Sequence, residues 1–351
     1  MNIDAHWHVI VPEMTRPAAG GEPWRPSVRW ENGIQLVELG GRVLRSAVSE
    51  FVRIDRILDE ARSRQVDHVL LCPWVNLLPN TLPVDQAVDV CRLQNEGLSA
   101  AAQAHPERIS ALGALPLQDP VRAASELPRL MKLPGMKGVE LTASVNGTYL
   151  GDDSFLPLWE AAESEGALLF IHPTTRGFEL PVFDNYYLWN TIANPMETTV
   201  TAAHMVMAGV LERFPRLSVV LAHGGGALLA LRGRLRQVAE VRPDAASRLR
   251  SPADESIRRF YFDTLTHDGA LLRSLIEFAG VDHVLLGSDY PFDMGTDRAV
   301  DEVLALELDK AEQDAILGGN ARRLLRIGSD KTGAGEAAAS ASHVQGSNQR
   351  D

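Results

Sequence analysis

Cysteine is scarce in this chain. Cys72 and Cys91 are the only two, and each sits in an apolar segment. Buried free thiols are therefore expected rather than a disulfide. A surplus of positive charge is also missing: 46 acidic residues against 34 basic ones give a net charge of −12. That excludes a nucleic-acid binder, which needs a basic face. It leaves small anionic substrates open, because a local arginine cluster can hold an anion. No run of 18 apolar residues occurs, so no membrane span is expected. The N-terminus lacks a basic n-region, so no signal peptide is expected and the cytoplasm is the default location. A Gly-x-Gly-x-x-Gly turn is missing after the first apolar run, which argues against an open dinucleotide-binding sheet.

What the chain does have is a full core and a regular alternation. Hydrophobic residues make up 45% and charged residues 23% of the 351, as in an ordinary globular protein. Eight short apolar runs recur: Asn2–Ile10, Val66–Trp74, Arg108–Pro116, Met136–Leu141, Ala167–Pro173, Ser218–His223, Phe260–Thr266 and His283–Ser288. Their near-continuous Val, Ile and Leu suit parallel strands covered on both faces. Helical patterns lie between them, over Val52–Arg64, Asp85–Ala104, Val121–Met131, Phe155–Glu165, Thr198–Phe214 and Gly269–Phe278. The α/β alternation predicts a (β/α)8 TIM barrel over residues 1–327.

Two regions break the pattern. Residues 11–49 are too long for an ordinary βα loop. Within them Val28–Trp30 and Ile34–Leu39, joined by Asn32-Gly33, read as a hairpin. Because this insertion follows the first strand, it is expected to rise over the barrel mouth as a lid or substrate flap. Residues 328–351 are rich in Ala, Ser and Gly without apolar periodicity, and a disordered tail is expected there.

The chemistry of such a barrel sits at the C-terminal ends of its strands. The first run carries Asp4-Ala5-His6-Trp7-His8. Alternation along a strand puts Asp4, His6 and His8 on one face, where two imidazoles can converge on a metal. With ten His in the chain, chance supplies a His-x-His in roughly one such chain in four, so the motif needs context. The context is there: the fifth run ends in His172, the sixth in His223-Gly224-Gly225-Gly226, and the eighth in Ser288-Asp289-Tyr290-Pro291-Phe292. Imidazoles and a carboxylate suit Zn2+ or a similar divalent ion, with an open position for water. The other histidines read as structural: His68 at a strand start, His105 before Pro106, His204 on a helix, His283 before a strand, and His343 in the tail. His267 ends the seventh run and is left open. Among the aromatics, Trp189 and Phe292 are the best pocket walls, whereas Trp7 points away from the histidine face; Trp74 lies at the rim, and Arg176 is close enough to His172 to meet an anion.

These stretches, Asp-x-His-x-His, Ile-His-Pro, Ala-His-Gly-Gly-Gly and Gly-Ser-Asp-Tyr-Pro-Phe, resemble the amidohydrolase superfamily, in the branch around aminocarboxymuconate-semialdehyde decarboxylase. Asp119, Asn194-Pro195-Met196-Glu197-Thr198 and Gly319-Asn320-Ala321 add to the likeness. The resemblance implies one metal, Zn2+ or Mn2+, held by His6, His8, His172 and Asp289. It implies His223 beside the metal water as acid/base. It implies that an insertion arginine, Arg45 or Arg42, and Arg234, reaching over from a second subunit of a homodimer, bind substrate carboxylates. Members with two metals bridge them by a carbamylated lysine on the fourth strand; this chain has only Lys132, Lys137, Lys310 and Lys331, and Lys137 lies at the wrong end of that strand. The expected activity is metal-dependent, non-oxidative decarboxylation of an unsaturated or aromatic acid. A hydrolase or hydratase acting on a lactone, amide or enol-type substrate is the alternative.

Overall fold

The computed structural model describes residues 1–15, 24–32, 34–46, 49–174, 178 and 180–328. All of the expected tail 328–351 beyond Gly328, and Arg176, lie outside the described residues. Eight parallel strands run in sequence order around one sheet. They are β1 (Ile3–Val9), β2 (His68–Pro73), β3 (Ile109–Gly113), β4 (Met136–Thr142), β5 (Leu168–His172), β6 (Ser218–Leu221), β7 (Tyr261–Asp263) and β8 (Val284–Leu285). The sheet closes where β1 meets the chain running on from β8. Ala5 N donates to Leu286 O at 2.8 Å, Asp289 N to His6 O at 2.8 Å, and His8 N to Tyr290 O at 2.7 Å. The stretches that carry His6 and His8 and that carry Asp289 are thus neighbours in one ladder, and the TIM barrel expected from the alternation is the fold observed.

Helices cover the outside, among them α1 (Ile57–Ser63), α2 (Val84–Ala104), α3 (Pro120–Met131), α4 (Leu156–Glu165), α5 (Asn194–Met207), α6 (Leu228–Val241), α7 (Gly269–Ala279) and α8 (Ala299–Leu304). The helix expected over 198–214 starts earlier, at Asn194, and breaks at Gly209, whose φ of +68° a helix interior does not allow. Alternation along the strands is strict. Leu168 and Phe170 of β5 join an inner cluster with Leu70, Leu112, Val220 and Leu285, while Leu169, Ile171, Val219 and Leu221 pack outward against helices. His172, next in step after Phe170, therefore faces inward at the rim.

The insertion is a three-stranded antiparallel sheet, Ser27–Glu31, Ile34–Leu39 and Arg42–Ser46. The hairpin at Asn32 is as expected, with Asn32 at φ +52°. The third strand is an addition, turned by Gly40 and Gly41 at φ +59° and +77°. Two residues in the left-handed region fit the two-residue hairpin loop that a Gly-Gly pair allows. The sheet buries Leu36, Val37 and Leu39. Gly40 lies tight against Leu82, beyond the C-terminal end of β2.

Several motif residues shared with the superfamily turn out to hold the scaffold. Asp119 caps α3 by accepting from Arg122 N at 3.0 Å. Asn320 donates to the carbonyls of Val281 and Val284, both at 2.8 Å, and so fixes the start of β8. Buried Glu197 accepts from Ser144 Oγ at 2.7 Å and from Thr174 N at 2.7 Å, tying the loops after β4 and β5 together.

Candidate metal centre and active site

Three histidines of the cluster are anchored through Nδ1. His6 Nδ1 donates to Asp263 Oδ2 at 2.7 Å, His8 Nδ1 to Pro73 O at 3.0 Å, and His172 Nδ1 to Pro173 O at 2.9 Å. Such bonds keep a proton on Nδ1, so that Nε2 is the atom each ring can offer to a metal. The Nε2 atoms of His6 and His8 lie 3.0 Å apart. Asp289 Oδ1 sits 3.1 Å from both and 3.9 Å from His172 Nε2, and Asp289 Oδ2 is 3.4 Å from His223 Nε2. His6, His172, His223 and Asp289 each place a ligand atom within 4.8 Å of the others.

The loops that deliver His223 and Asp289 need unusual backbone. His223, Gly224, Gly225 and Gly226 have φ of +57°, +59°, +76° and +63°. A run of four left-handed residues is costly for L side chains, so three of the four are glycine. At Gly226 a Cβ would also fall 2.1 Å from Pro195 O, against the segment that walls the pocket. Asp289 holds φ +57°, in a region that Asp tolerates better than most residues. Strain of this kind is expected where the fold aims a functional side chain.

The charges fit a cation. Asp289 Oδ1 and His172 Nε2 are buried and make no hydrogen bond, although both face other polar atoms of the cluster. Polar atoms that converge without pairing are what a missing central ion would satisfy. Burial works to raise the Asp289 carboxyl, but the facing His6, with bonds from the other imidazoles, holds it well below the usual range. Burial pushes His172 down to about 3 and lowers His8 as well, so both are neutral and ready to ligate. His6 is the exception. Burial works against its charge, yet Asp289 and the bond to Asp263 raise it to about 10. Without an ion it carries a proton on each nitrogen, and an ion that takes Nε2 must displace one. Metal uptake at neutral pH is therefore expected to release one proton, and affinity to weaken about tenfold for each pH unit below 10. Calorimetric titration in two buffers of different ionisation heat reads this; uptake without proton release would show that His6 starts neutral.

The Amidohydrolase family model matches residues 77–327 of the chain. This protein belongs to the amidohydrolase family. A curated relative, 2-amino-3-carboxymuconate-6-semialdehyde decarboxylase of Dictyostelium discoideum, is 32% identical over 253 residues, covering 70% of this chain and 68% of the relative. A gamma-resorcylate decarboxylase of Rhizobium radiobacter is 28% identical, covering 74% and 81%. The solved structure of 5-carboxyvanillate decarboxylase of Novosphingobium aromaticivorans, complexed with manganese and a nitrobenzoic acid, superimposes with a TM-score of 0.78 at 17% identity, over 93% of this chain and 96% of that one. At that identity the likeness is one of fold. The decarboxylase branch picked out by the motifs is the branch to which these relatives' names belong.

The amidohydrolase pocket opens beside the cluster, with a volume near 250 Å3. His172, His223 and Asp289 form its floor, and Trp189, Asn190, Leu265 and Phe292 are among its walls. Trp189 and Phe292, the two aromatics singled out in the sequence, both line this pocket. His267 lines the pocket too, donating through Nε2 to Met294 O at 2.8 Å. Trp7 is packed away, its ring 4.2 Å from that of Tyr290, and Trp74 is buried against Phe51 instead of the pocket. Arg45 is exposed on the third inserted strand, opposite Leu36. Arg234 is exposed on α6. Neither lines the pocket in a single chain, and among the described residues no Arg or Lys does. Lys137 acts electrostatically on His68, at the start of β2 and the far end of the barrel.

Of three buried carboxyls near the cluster, Asp263 and Glu140 escaped the sequence reading, and for Asp4 it gave the face but not the partners. Asp263 anchors His6. Asp4 accepts from His6 N at 3.0 Å and Ser288 N at 3.1 Å, pinning the seam between β1 and the stretch after β8. Glu140 on β4 lies fully buried, 4.0 Å from His8 Nδ1, and burial raises its carboxyl well above the usual range. An acidic residue late in an otherwise apolar strand was the available signal for Asp263 and Glu140.

Proposed function

We propose that this amidohydrolase is a metal-dependent, non-oxidative decarboxylase of an unsaturated or aromatic carboxylic acid. The observation that carries the reading is the convergence of the His6, His8 and His172 Nε2 atoms on Asp289 Oδ1, at 3.1, 3.1 and 3.9 Å, with His223 beside them at the floor of a pocket. In this reading those four hold one divalent ion, Zn2+ first and Mn2+ next. The ion supplies Lewis acidity to a substrate oxygen. Trp189 and Phe292 enclose the flat carbon skeleton and exclude water. His223 gives a proton to the carbon that bears the carboxylate. The bond from that carbon to the carboxylate then breaks, its electron pair returns to the unsaturated system, and CO2 leaves. Solvent returns the proton to His223, which is part-exposed.

An anionic substrate needs a counter-charge that the described pocket walls lack. The reading assigns it to Arg234 of a second subunit in a homodimer together with an insertion arginine, Arg45 or Arg42, the insertion serving as the flap. The segment carrying Trp189 also exposes Leu180 at 52%, Val182 at 69% and Tyr186 at 91%, an apolar surface of the sort that subunits cover. Among the described residues no helix is long and apolar enough to cross a membrane; a cytoplasmic setting is part of the same proposal. The test is a screen of the ion-loaded protein against hydroxybenzoic and muconate-type acids, reading released CO2. Turnover of at least one is expected. Hydrolysis of a lactone or amide, with no CO2 from any acid, would replace this reading by the hydrolase one.

A further inference from the structure

One carboxylate outside the ligand set touches both halves of the proposed chemistry. Asp263 closes β7 and is fully buried. Its Oδ2 accepts from His6 Nδ1 at 2.7 Å and from the backbone N of His223 at 2.9 Å. Its Oδ1 accepts from Gly224 N at 2.7 Å and Leu265 N at 3.2 Å. All four of these neighbours are donors, and only a group that accepts with both oxygens satisfies them. The geometry points to Asp263 as the positioning residue that holds a proton on His6 Nδ1, so that Nε2 is the atom offered to an ion, and at the same time holds the left-handed turn that aims His223. The inference rests on the metal-centre reading above.

Three features make the coupling specific. Among the described residues the His6 Nδ1 has no partner but this oxygen. The same oxygen receives the N–H at the first residue of the left-handed run, where φ is +57° and the backbone is otherwise strained. Gly287 leaves the room for it: a Cβ there would fall 2.9 Å from Asp263 Cβ and 3.0 Å from His6 Cβ.

Asp263→Asn isolates the effect, because it keeps the shape and replaces one accepting oxygen by a donating NH2. Whichever way the amide turns, two donors face two donors. If the NH2 faces His6, that ring relieves the clash by moving its proton to Nε2, the atom that must bind the ion. Metal affinity of the folded variant is expected to fall 10- to 100-fold, read by competition with a coloured chelator using Zn2+. A change in folding alone would lower the melting temperature and leave the affinity of the folded fraction unchanged. A second measurement needs no variant. In Zn2+-loaded wild-type protein labelled with 15N-histidine, His6 is expected to show its proton on Nδ1, shifted downfield by the carboxylate. An Asp263→Asn protein that binds Zn2+ within twofold of wild type, or a His6 proton on Nε2 in the loaded wild type, overturns the inference. A wild type that takes up no ion overturns the metal-centre reading beneath it.

Discussion

Replacing His223 by Gln is expected to lower kcat by roughly 10²- to 10⁴-fold, the span of a lost general acid, while the protein keeps its ion. His223 lines the pocket, and its Nε2 stands 3.4 Å from Asp289 Oδ2, farther than the 3.1 Å at which the His6 and His8 nitrogens approach Asp289 Oδ1. It is also the one imidazole of the cluster whose Nδ1 has no partner. A ring not locked by a backbone carbonyl or carboxylate can exchange its proton with solvent, as an acid/base group must and a fixed ligand need not. Glutamine still occupies the site and can still hydrogen-bond to Asp289, so the fold and ion content are expected to hold. Metal analysis beside steady-state kinetics separates the roles. Loss of the ion together with activity would make His223 a ligand, and full activity would remove it from the chemistry.

Asp289→Asn is expected to empty the centre. Among the described residues the Asp289 carboxylate is the only anionic group within 3.1 Å of the His6 and His8 Nε2 atoms, so it supplies the charge that a divalent ion requires there. Asparagine tolerates the left-handed backbone that Asp289 adopts at φ +57°. The turn is therefore retained and the charge alone removed. An affinity loss of at least about 100-fold is expected, larger than for a residue that only supports a ligand, and activity should vanish at ordinary metal concentrations. Elemental analysis after dialysis checks it. A variant that retains one tightly bound ion would place the metal elsewhere.

How far the sequence could be read follows from the range of each interaction. The barrel was legible because burial on both faces leaves continuous Val, Ile and Leu, a local signal. The clustered side chains were legible because strand ends carry the site in this fold: His6 stands midway along β1 and His8 near its end, His172 ends β5, and Asp289 follows β8 by four residues. The supporting carboxyls were hidden for the opposite reason. Asp263 meets His6 across 257 positions of chain, and Ser288 N meets Asp4 across 284; no spacing within a segment announces such pairs. The third inserted strand was missed although Gly40-Gly41 marks its turn, because Arg42–Ser46 is short and charged. The arginines show another limit. Arg45 and Arg234 are exposed in a single chain, and nothing in the packing of one chain brings either to the pocket.

The account turns on carbon–carbon cleavage with proton replacement at one centre. The most direct measurement is turnover in D2O by the protein loaded with one ion, using whichever acid the screen identifies. One CO2 per substrate is expected, with one deuterium on the product at the carbon that lost its carboxylate. A product that keeps its carboxylate and gains the elements of water would contradict the account.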